Sequence, residues 1–136
     1  ARVDRPLVAD AVIQPALADG VTEPADYDGN TEEVDLNMPV DGTVSRATLA
    51  FPSGANQSIG IGVDGVNQES LVPFGPSGTN YIALDDTTSE FDLDYEVQNN
   101  ETIKVRFINA RVAETEAEID DLTAYASGII VVTEEV

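Results

Sequence analysis

The reactive side chains of this sequence are nearly all carboxylates. The 136 residues contain 26 Asp and Glu against 6 Lys and Arg, a formal net charge of -20, and they contain no His, Cys or Trp. A serine nucleophile needs a base to activate it, and Lys104 is the only lysine available for that role. Paired carboxylates can hydrolyse a glycosidic bond, but 4 Tyr without any Trp provide little aromatic surface to hold a sugar. The composition therefore predicts that the chain is not an enzyme.

One group of carboxylate and amide side chains has the make-up of a calcium loop. Asp26, Asp28, Asn30 and Glu32 alternate along the chain, and such hard oxygen donors are the ligands that Ca²⁺ prefers. The EF-hand register is not met, because Thr31 stands at the sixth position, where that loop requires glycine. Acid clusters also arise by chance in so acidic a chain. These four residues are therefore weak candidate metal ligands, and a structural Ca²⁺ ion is the only cofactor that they suggest.

Three glycines have the spacing of a dinucleotide-binding motif. Gly60, Gly62 and Gly65 fit the pattern GxGxxG, but that motif requires a helix directly after the strand, and no helical pattern follows here. Glycines on one face of a strand instead allow another backbone to approach closely, either within the domain or from a neighbouring subunit. We therefore treat Gly60 and Gly62 as candidate subunit-contact residues.

From residue 32 onward, apolar and polar residues alternate with a period of two, and turn residues interrupt this pattern at short intervals. The pattern predicts an all-β fold, either an eight-stranded antiparallel jelly roll or an immunoglobulin-like β-sandwich, which a strand count does not separate. The predicted strands are 32–38, 44–51, 59–63, 66–72, 79–84, 91–97, 102–108 and 127–133. Residues 111–122 fit a short helix or an acidic loop equally well.

Turn residues predict which consecutive strands pair with each other as hairpins. The three turn signals are Asp41–Gly42, Asp64–Gly65 and Asn99–Asn100. Each lies between two predicted strands, so we expect each flanking pair to be hydrogen-bonded. Phe74 is the aromatic residue of the proline- and glycine-rich connection 73–78, where it either caps the core or contacts a neighbouring subunit.

The first 18 residues differ from the rest of the chain in charge. Two arginines balance two aspartates there, whereas residues 19–136 carry the whole net charge of -20. Prolines in this segment favour an extended course. We predict an extended N-terminal arm over residues 1–18 and a single β-sandwich domain over 19–136, with a strand of the same domain as the alternative. The arm's candidate subunit-contact residues are Val8, Val12, Ile13 and Leu17. As an arm, the segment could be deleted without loss of the fold.

The acidic excess predicts a folded protein adapted to high salt. Surface charges repel one another over about 30 Å at 0.01 M salt but over only about 3 Å at 1 M. The same charge disfavours nucleic acid and anionic lipid as partners. The sequence also lacks a stretch of roughly 20 apolar residues that could insert into a membrane.

An acidic β-domain with an apolar N-terminal segment and no catalytic inventory resembles the small jelly-roll or sandwich proteins of viruses that infect halophilic archaea. The resemblance covers residues 32–136, from the alternation of Val34, Leu36 and Met38 to the run Ile129 to Val132, and residues 1–18 match an arm that crosses to the next subunit. It implies a virion structural protein, either capsid, penton, turret or decoration protein. Other copies of itself and other virion proteins would be the partners, in a homo-oligomer at the capsid surface.

A second class of function fits the same composition. A secreted or cell-surface β-sandwich of a halophile could bind a sugar or protein ligand through its loops. Such a module would be extracellular. It would be a monomer in solution, whereas a virion subunit would assemble into an oligomer.

Overall fold

A computed structural model describes residues 1–72 and 81–136 of the chain, and its strands form two four-stranded antiparallel sheets. The first sheet contains, in order across it, β1 (Arg2–Ile13), β10 (Ala124–Glu135), β4 (Gly42–Phe51) and β7 (Thr87–Val97). The second contains β3 (Thr31–Asn37), β8 (Thr102–Asn109), β5 (Ile59–Asp64) and β6 (Ile82–Ala83). The remaining elements are the parallel pair β2 (Ala16–Leu17) and β9 (Val112–Ala113), and the helix α1 (Glu118–Leu122).

The strand order is that of a jelly roll. With the two-residue strands β2 and β9 set aside, the first strand of the eight pairs with the last, the second with the seventh, the third with the sixth and the fourth with the fifth. This nested pairing is the double Greek key, whereas an immunoglobulin sandwich groups its strands as ABED and CFG. The predicted all-β sandwich is therefore confirmed, and the topology selects the jelly roll from the two alternatives.

Two of the three predicted hairpins are wrong in their pairing. The strands on either side of Asp41–Gly42 lie in opposite sheets, because β3 pairs with β8 and β4 pairs with β7. The same is true of β7 and β8 around Asn99–Asn100. After Asp64–Gly65, the chain does turn back antiparallel onto β5, through a bridge between Asp64 and Ser70 and a hydrogen bond from the Leu71 N–H to the Val63 carbonyl oxygen at 2.8 Å, but 66–72 is not a strand. Turn residues fix where the chain reverses, but the partner of each strand is set by contacts distant in sequence.

Alternating side chains of the strands build the core between the two sheets. In β8, Ile103, Val105 and Phe107 are fully buried, while the residues between them are only half-buried. β5 is buried along its whole length because both of its faces are covered. A Cβ atom at Gly60 would lie 2.8 Å from Ile108 Cγ2 and 2.9 Å from Tyr81 Cβ. The space beside this glycine is therefore filled by side chains of its own chain rather than by another backbone.

The N-terminal segment is a strand of the sandwich rather than a projecting arm. All twelve residues of β1 pair with β10, and Ala9 and Ile13 are buried in the core. The strand takes the extended course that its prolines predict. It forms the edge of its sheet, where Pro6 costs no ladder hydrogen bond when its nitrogen faces solvent. Deleting residues 1–18 would remove a strand, so from the structure we expect the deletion to destabilise the fold.

A buried asparagine that the sequence analysis missed holds the end of β1 in place. Asn109 is 0% exposed, and its Nδ2 donates hydrogen bonds to the carbonyl oxygens of Ile13 (3.0 Å) and Leu122 (2.8 Å). Its Oδ1 accepts a hydrogen bond from the backbone N–H of Arg111 at 3.1 Å. One side chain therefore joins β1, the end of α1 and the chain after β8. The acidic stretch 111–122, which follows Asn109 in the chain, contains β9 and a loop that ends in α1, whose Ile119 is buried.

A second polar contact missed from sequence lies on the outer side of the second sheet. The Arg106 guanidinium donates two hydrogen bonds to the Asp64 carboxylate, at 2.7 and 2.9 Å, and lies 4.6 Å from the centre of the Tyr81 ring. Burial acts to lower the pKa of Arg106, but the hydrogen bonds and charge of Asp64 outweigh it, so the pKa lies above its ordinary value. The ion pair is bidentate and largely buried from solvent, and it fixes β5 against β8.

Within residues 1–72 and 81–136, no helix has the length and apolar character needed to cross a membrane.

Candidate interaction face

Exposed apolar side chains gather on one part of the first sheet. Val8 and Val12 of β1 are 60% and 62% exposed, and the neighbouring Tyr125 and Ile129 of β10 are 54% and 37% exposed. The register places Val8 opposite Ile129 and Val12 opposite Tyr125. Of the six large hydrophobic residues that are exposed in the described part of the chain, these four share one surface. We call this surface the β1–β10 face.

The face arises because β1 and β10 carry apolar residues at outward-pointing as well as inward-pointing positions. In β1, Ala9 and Ile13 point into the core, so the valines between and beside them point outward. In β10, Ile130 and Val132 are buried and Ile129 is therefore turned to the outside. A sheet with one solvated face normally carries polar residues there. Apolar residues at outward positions are typical of interaction surfaces.

One carboxylate lies within the β1–β10 face. Asp10 stands between Val8 and Val12 on the exposed side of β1, and its Oδ2 accepts a hydrogen bond from the Tyr125 hydroxyl at 3.2 Å. Partial desolvation and the negative charge of Asp10 raise the pKa of Tyr125 above its ordinary value. The phenol therefore stays protonated at neutral pH and keeps donating to the carboxylate.

The opposite edge of the same sheet is acidic. Outward positions of β7 hold Glu90, Asp92, Asp94 and Glu96, all exposed. We call these four residues the acidic β7 strip. A row of like charges on an edge strand opposes contact with another strand or another acidic surface.

The structure separates the N-terminal candidates for subunit contact into two groups. Val8 and Val12 lie on the β1–β10 face and are accessible. Ile13 is 0% exposed and contributes to the core of its own chain, so it is not available to a neighbour. Leu17 is half-buried in β2, where it pairs with Ala113 of β9.

The two glycine candidates for subunit contact do not reach a free surface. Gly60 and Gly62 are buried within β5, which is covered on both faces. Phe74 lies outside the described residues. Two members of the face, Tyr125 and Ile129, were missed from sequence, because the run Ile129 to Val132 reads as a strand buried on both sides.

The predicted calcium ligands are not gathered into a site. Asn30 Nδ2 donates a hydrogen bond to the carbonyl oxygen of Asn109 at 3.0 Å, which occupies its side chain in holding the β3 end to β8. Asp26 and Asp28 lie in the exposed loop before β3, while Glu32 belongs to the strand. Among the described residues, no group of three or more acidic side chains is placed to hold a metal ion. Spacing along the chain alone therefore does not bring these oxygens together in the structure.

A shallow concavity lies at the end of the sandwich where β7 and β10 finish. It has a volume of about 610 Å³ and its lining includes Asp41, Glu96, Glu101 and Glu135. Two of these acids cap turns: Asp41 accepts the Asn99 N–H at 2.8 Å, and Glu101 accepts the Gln98 N–H at 2.7 Å. The carboxylates give the concavity a negative potential that suits only a neutral or cationic ligand.

Comparison with known proteins gives no family. No protein-family model matches the chain. No curated protein matches it either. Among solved structures, it is similar to a family two carbohydrate esterase from Cellvibrio japonicus, with 14% identity and a TM-score of 0.39 over 99% of this chain. It is also similar to the structure of infectious bursal disease virus Gx strain, with 11% identity and a TM-score of 0.38 over 97% of this chain. The chain spans about a third of either protein, 35% and 32%, and at these TM-scores neither likeness assigns a function.

Proposed function

We propose that this chain is a structural subunit that associates with other copies of itself and with other proteins of a larger particle, in high salt. The observation that carries the proposal is the β1–β10 face. Fully burying a side chain such as Val or Ile contributes roughly 1.5–3 kcal/mol, so the face gains substantially when a partner covers it. An exposed cluster of this kind on an otherwise acidic surface marks an interaction site.

Charge explains why association is expected in brine. Two copies with a net charge of -20 each repel strongly in dilute salt. At 1 M salt the screening length falls to about 3 Å, and the bodies can approach. β1 holds two arginines and two aspartates and is therefore neutral, so the surface offered to a partner is the one where repulsion is weakest.

The specific role that we propose is a virion protein of a virus that infects halophilic archaea, at the surface of an icosahedral capsid. Jelly rolls are frequent in capsid proteins, although they also occur in lectins and cupins, so the fold supports this role by analogy only. A chain without His or Cys and with one lysine is suited to assembly rather than to catalysis. The role involves no cofactor, no nucleic acid and no membrane insertion.

The test is the size of the purified chain as a function of salt. We expect light scattering coupled to size exclusion to show a closed oligomer in 2 M NaCl and dissociation at 0.1 M. A monomer at both salt concentrations would refute assembly of this chain on itself. Labelling of purified virions with an antibody against the chain, viewed by electron microscopy, then tests the virion role separately.

The acidic concavity favours a second function. A secreted or cell-surface module could hold a neutral or cationic ligand, such as a sugar, against Glu96, Glu101 and Glu135. Calorimetric titration with sugars distinguishes this alternative, which requires binding by a monomer that Glu96→Ala weakens.

A further inference from the structure

One arginine of this acid-rich chain, Arg46, stands opposite Asp92 of β7 in the sheet register but forms no ion pair with it. Arg46 lies exposed on the outer side of β4 and makes no ion pair or hydrogen bond through its guanidinium with any described residue. The other five bases are engaged: Arg2 with Asp4, Arg5 with Glu134, Lys104 with Glu33, Arg106 with Asp64, and Arg111 with Ser58 and the Gly54 carbonyl. An exposed guanidinium beside an apolar surface has the chemistry of an interface anchor.

The sheet register places Arg46 and Asp10 symmetrically about the centre of the β1–β10 face. Three successive rows run across β1, β10 and β4: Asp10, Ser127 and Ala50; then Val8, Ile129 and Thr48; then Pro6, Val131 and Arg46. Ile129 is the middle residue of the middle row. Asp10 lies one strand and one row away on one side of it, and Arg46 lies one strand and one row away on the other. Asp10 and Arg46 therefore lie at opposite corners around an apolar centre, with Asp92 of β7 next to Arg46 on the side away from that centre.

Resting on the function proposed above, we propose that a second copy of the chain docks on this face about a two-fold axis that lies in the plane between the two faces, over Ile129, so that Asp10 of each copy pairs with Arg46 of the other. A two-fold interface presents the same patch from both sides, and a patch that is its own charge complement is what such an interface needs. Rotation about that axis exchanges the two corners. Both ion pairs then form together, on either side of the paired Ile129 and Val8 side chains.

The size and chemistry of the face are adequate for this contact. Three strands about 4.8 Å apart and roughly ten residues long cover roughly 500 Å² per copy, or roughly 1,000 Å² for the pair, the lower limit for a specific interface. A guanidinium and a carboxylate can join through two hydrogen bonds. Since apolar neighbours exclude water and salt from the pair, it is screened less in brine than an exposed pair.

Charge exchange tests the geometry. In 2 M NaCl, we expect Asp10→Arg alone and Arg46→Asp alone each to weaken self-association at least about tenfold, because each variant opposes like charges twice per dimer. The double variant Asp10→Arg with Arg46→Asp restores association to near the original value. An equimolar mixture of the two single variants also associates, as a heterodimer, since each then meets its complement. Sedimentation velocity measures all four, and circular dichroism checks that the exposed substitutions leave the fold intact.

The outcomes separate this inference from the proposed function. If Val8→Asp abolishes association but neither charge reversal weakens it, or if the double variant and the mixture stay dissociated, the face docks a partner in another geometry and the two-fold pairing is wrong. If the original chain is a monomer in 2 M NaCl, self-assembly itself is refuted, and the two-fold pairing with it.

Discussion

The two edge strands of the first sheet are built in opposite ways. β1 is neutral and exposes Val8 and Val12, whereas β7 holds four acids and no base and exposes all four. Both strands have one unpaired edge, and both have one face toward solvent. Unpaired edges invite association with other chains, and charge on the edge prevents it. The contrast fits our proposal that neighbours are repelled along β7 and that one docks on the β1–β10 face.

The β1 edge is nevertheless protected against uncontrolled strand addition. Pro6 removes a hydrogen-bond donor from the middle of the strand, so a further strand could not pair along the whole free edge. Association through the face, which involves side chains rather than backbone, remains open. This is why we place the contact on the outward valines and on Ile129.

Removing β1 is expected to have the largest effect. Deletion of residues 1–13 takes Ala9 and Ile13 out of the core and exposes the edge of β10. Loss of one buried Ile side chain alone costs about 2–5 kcal/mol, and a whole domain is stable by only about 5–15 kcal/mol. We expect no cooperative thermal transition by circular dichroism in 2 M NaCl. Val8→Thr, an exposed substitution that keeps the strand, is the control and should retain the transition. A sharp transition of the deletion variant, like that of the full chain, would show that the fold does not need β1.

Removing the hydrogen bonds of Asn109 to the end of β1 is expected to lower the free energy of unfolding by less. Asn109→Ala removes the donors to the Ile13 and Leu122 carbonyl oxygens and leaves them unsatisfied, a loss of about 1–3 kcal/mol. Urea titration in 2 M NaCl measures the change in the free energy of unfolding. The control is Asn99→Ala, an exposed turn residue, which should change stability by less than about 0.5 kcal/mol. Equal effects of the two variants would contradict the anchoring role.

A charge placed on the face should abolish contact without harming the fold. In 2 M NaCl we expect Val8→Asp to weaken self-association by at least about tenfold, about 1.4 kcal/mol, because a carboxylate is then buried against apolar partners. Thr88→Asp makes the same chemical change at an exposed position of β7, and we expect association to be unaffected. Sedimentation equilibrium gives both constants. A matching loss in Thr88→Asp would place the contact elsewhere.

Neutralising the acidic β7 strip is expected to have the smallest effect. Replacing its four acids with Gln and Asn should raise the free energy of unfolding at 0.1 M salt by a few tenths of a kcal/mol per charge, because exposed like charges repel weakly. The gain should vanish at 2 M salt, where the screening length is below about 3 Å. Urea titrations at the two salt concentrations measure it. A gain in stability that persists in 2 M salt would contradict this explanation, because charge repulsion would then not be its cause.

The elements of the fold could be predicted from the sequence, but their pairing could not. The alternation from Val34 to Met38 and in β8 identifies strands, since inward and outward residues differ in polarity. The turn at Asn99–Asn100 was located correctly. Its flanking strands part into different sheets, because the jelly roll pairs strands that are far apart in sequence, and a local pattern carries no record of such partners.

The candidate face was only half predictable for the same reason. Val8 and Val12 stand out because they lie in a neutral segment of an acidic chain. Ile129 does not, since it belongs to a continuous apolar run whose outward positions are known only once β10 is placed between β1 and β4. Nor does the sequence distinguish Arg46 from the other arginines, because ion pairing depends on register.

Single-cysteine labelling compares the two edges in one measurement. The chain has no Cys, so Val8→Cys and Thr88→Cys each introduce one thiol at an exposed position of the same sheet. Their rates of reaction with a neutral maleimide report how accessible each edge is. We expect the Val8→Cys thiol to be protected in 2 M NaCl and accessible at 0.1 M, while the Thr88→Cys thiol reacts freely at both. Equal reactivity of the two thiols in 2 M NaCl would contradict docking on the β1–β10 face.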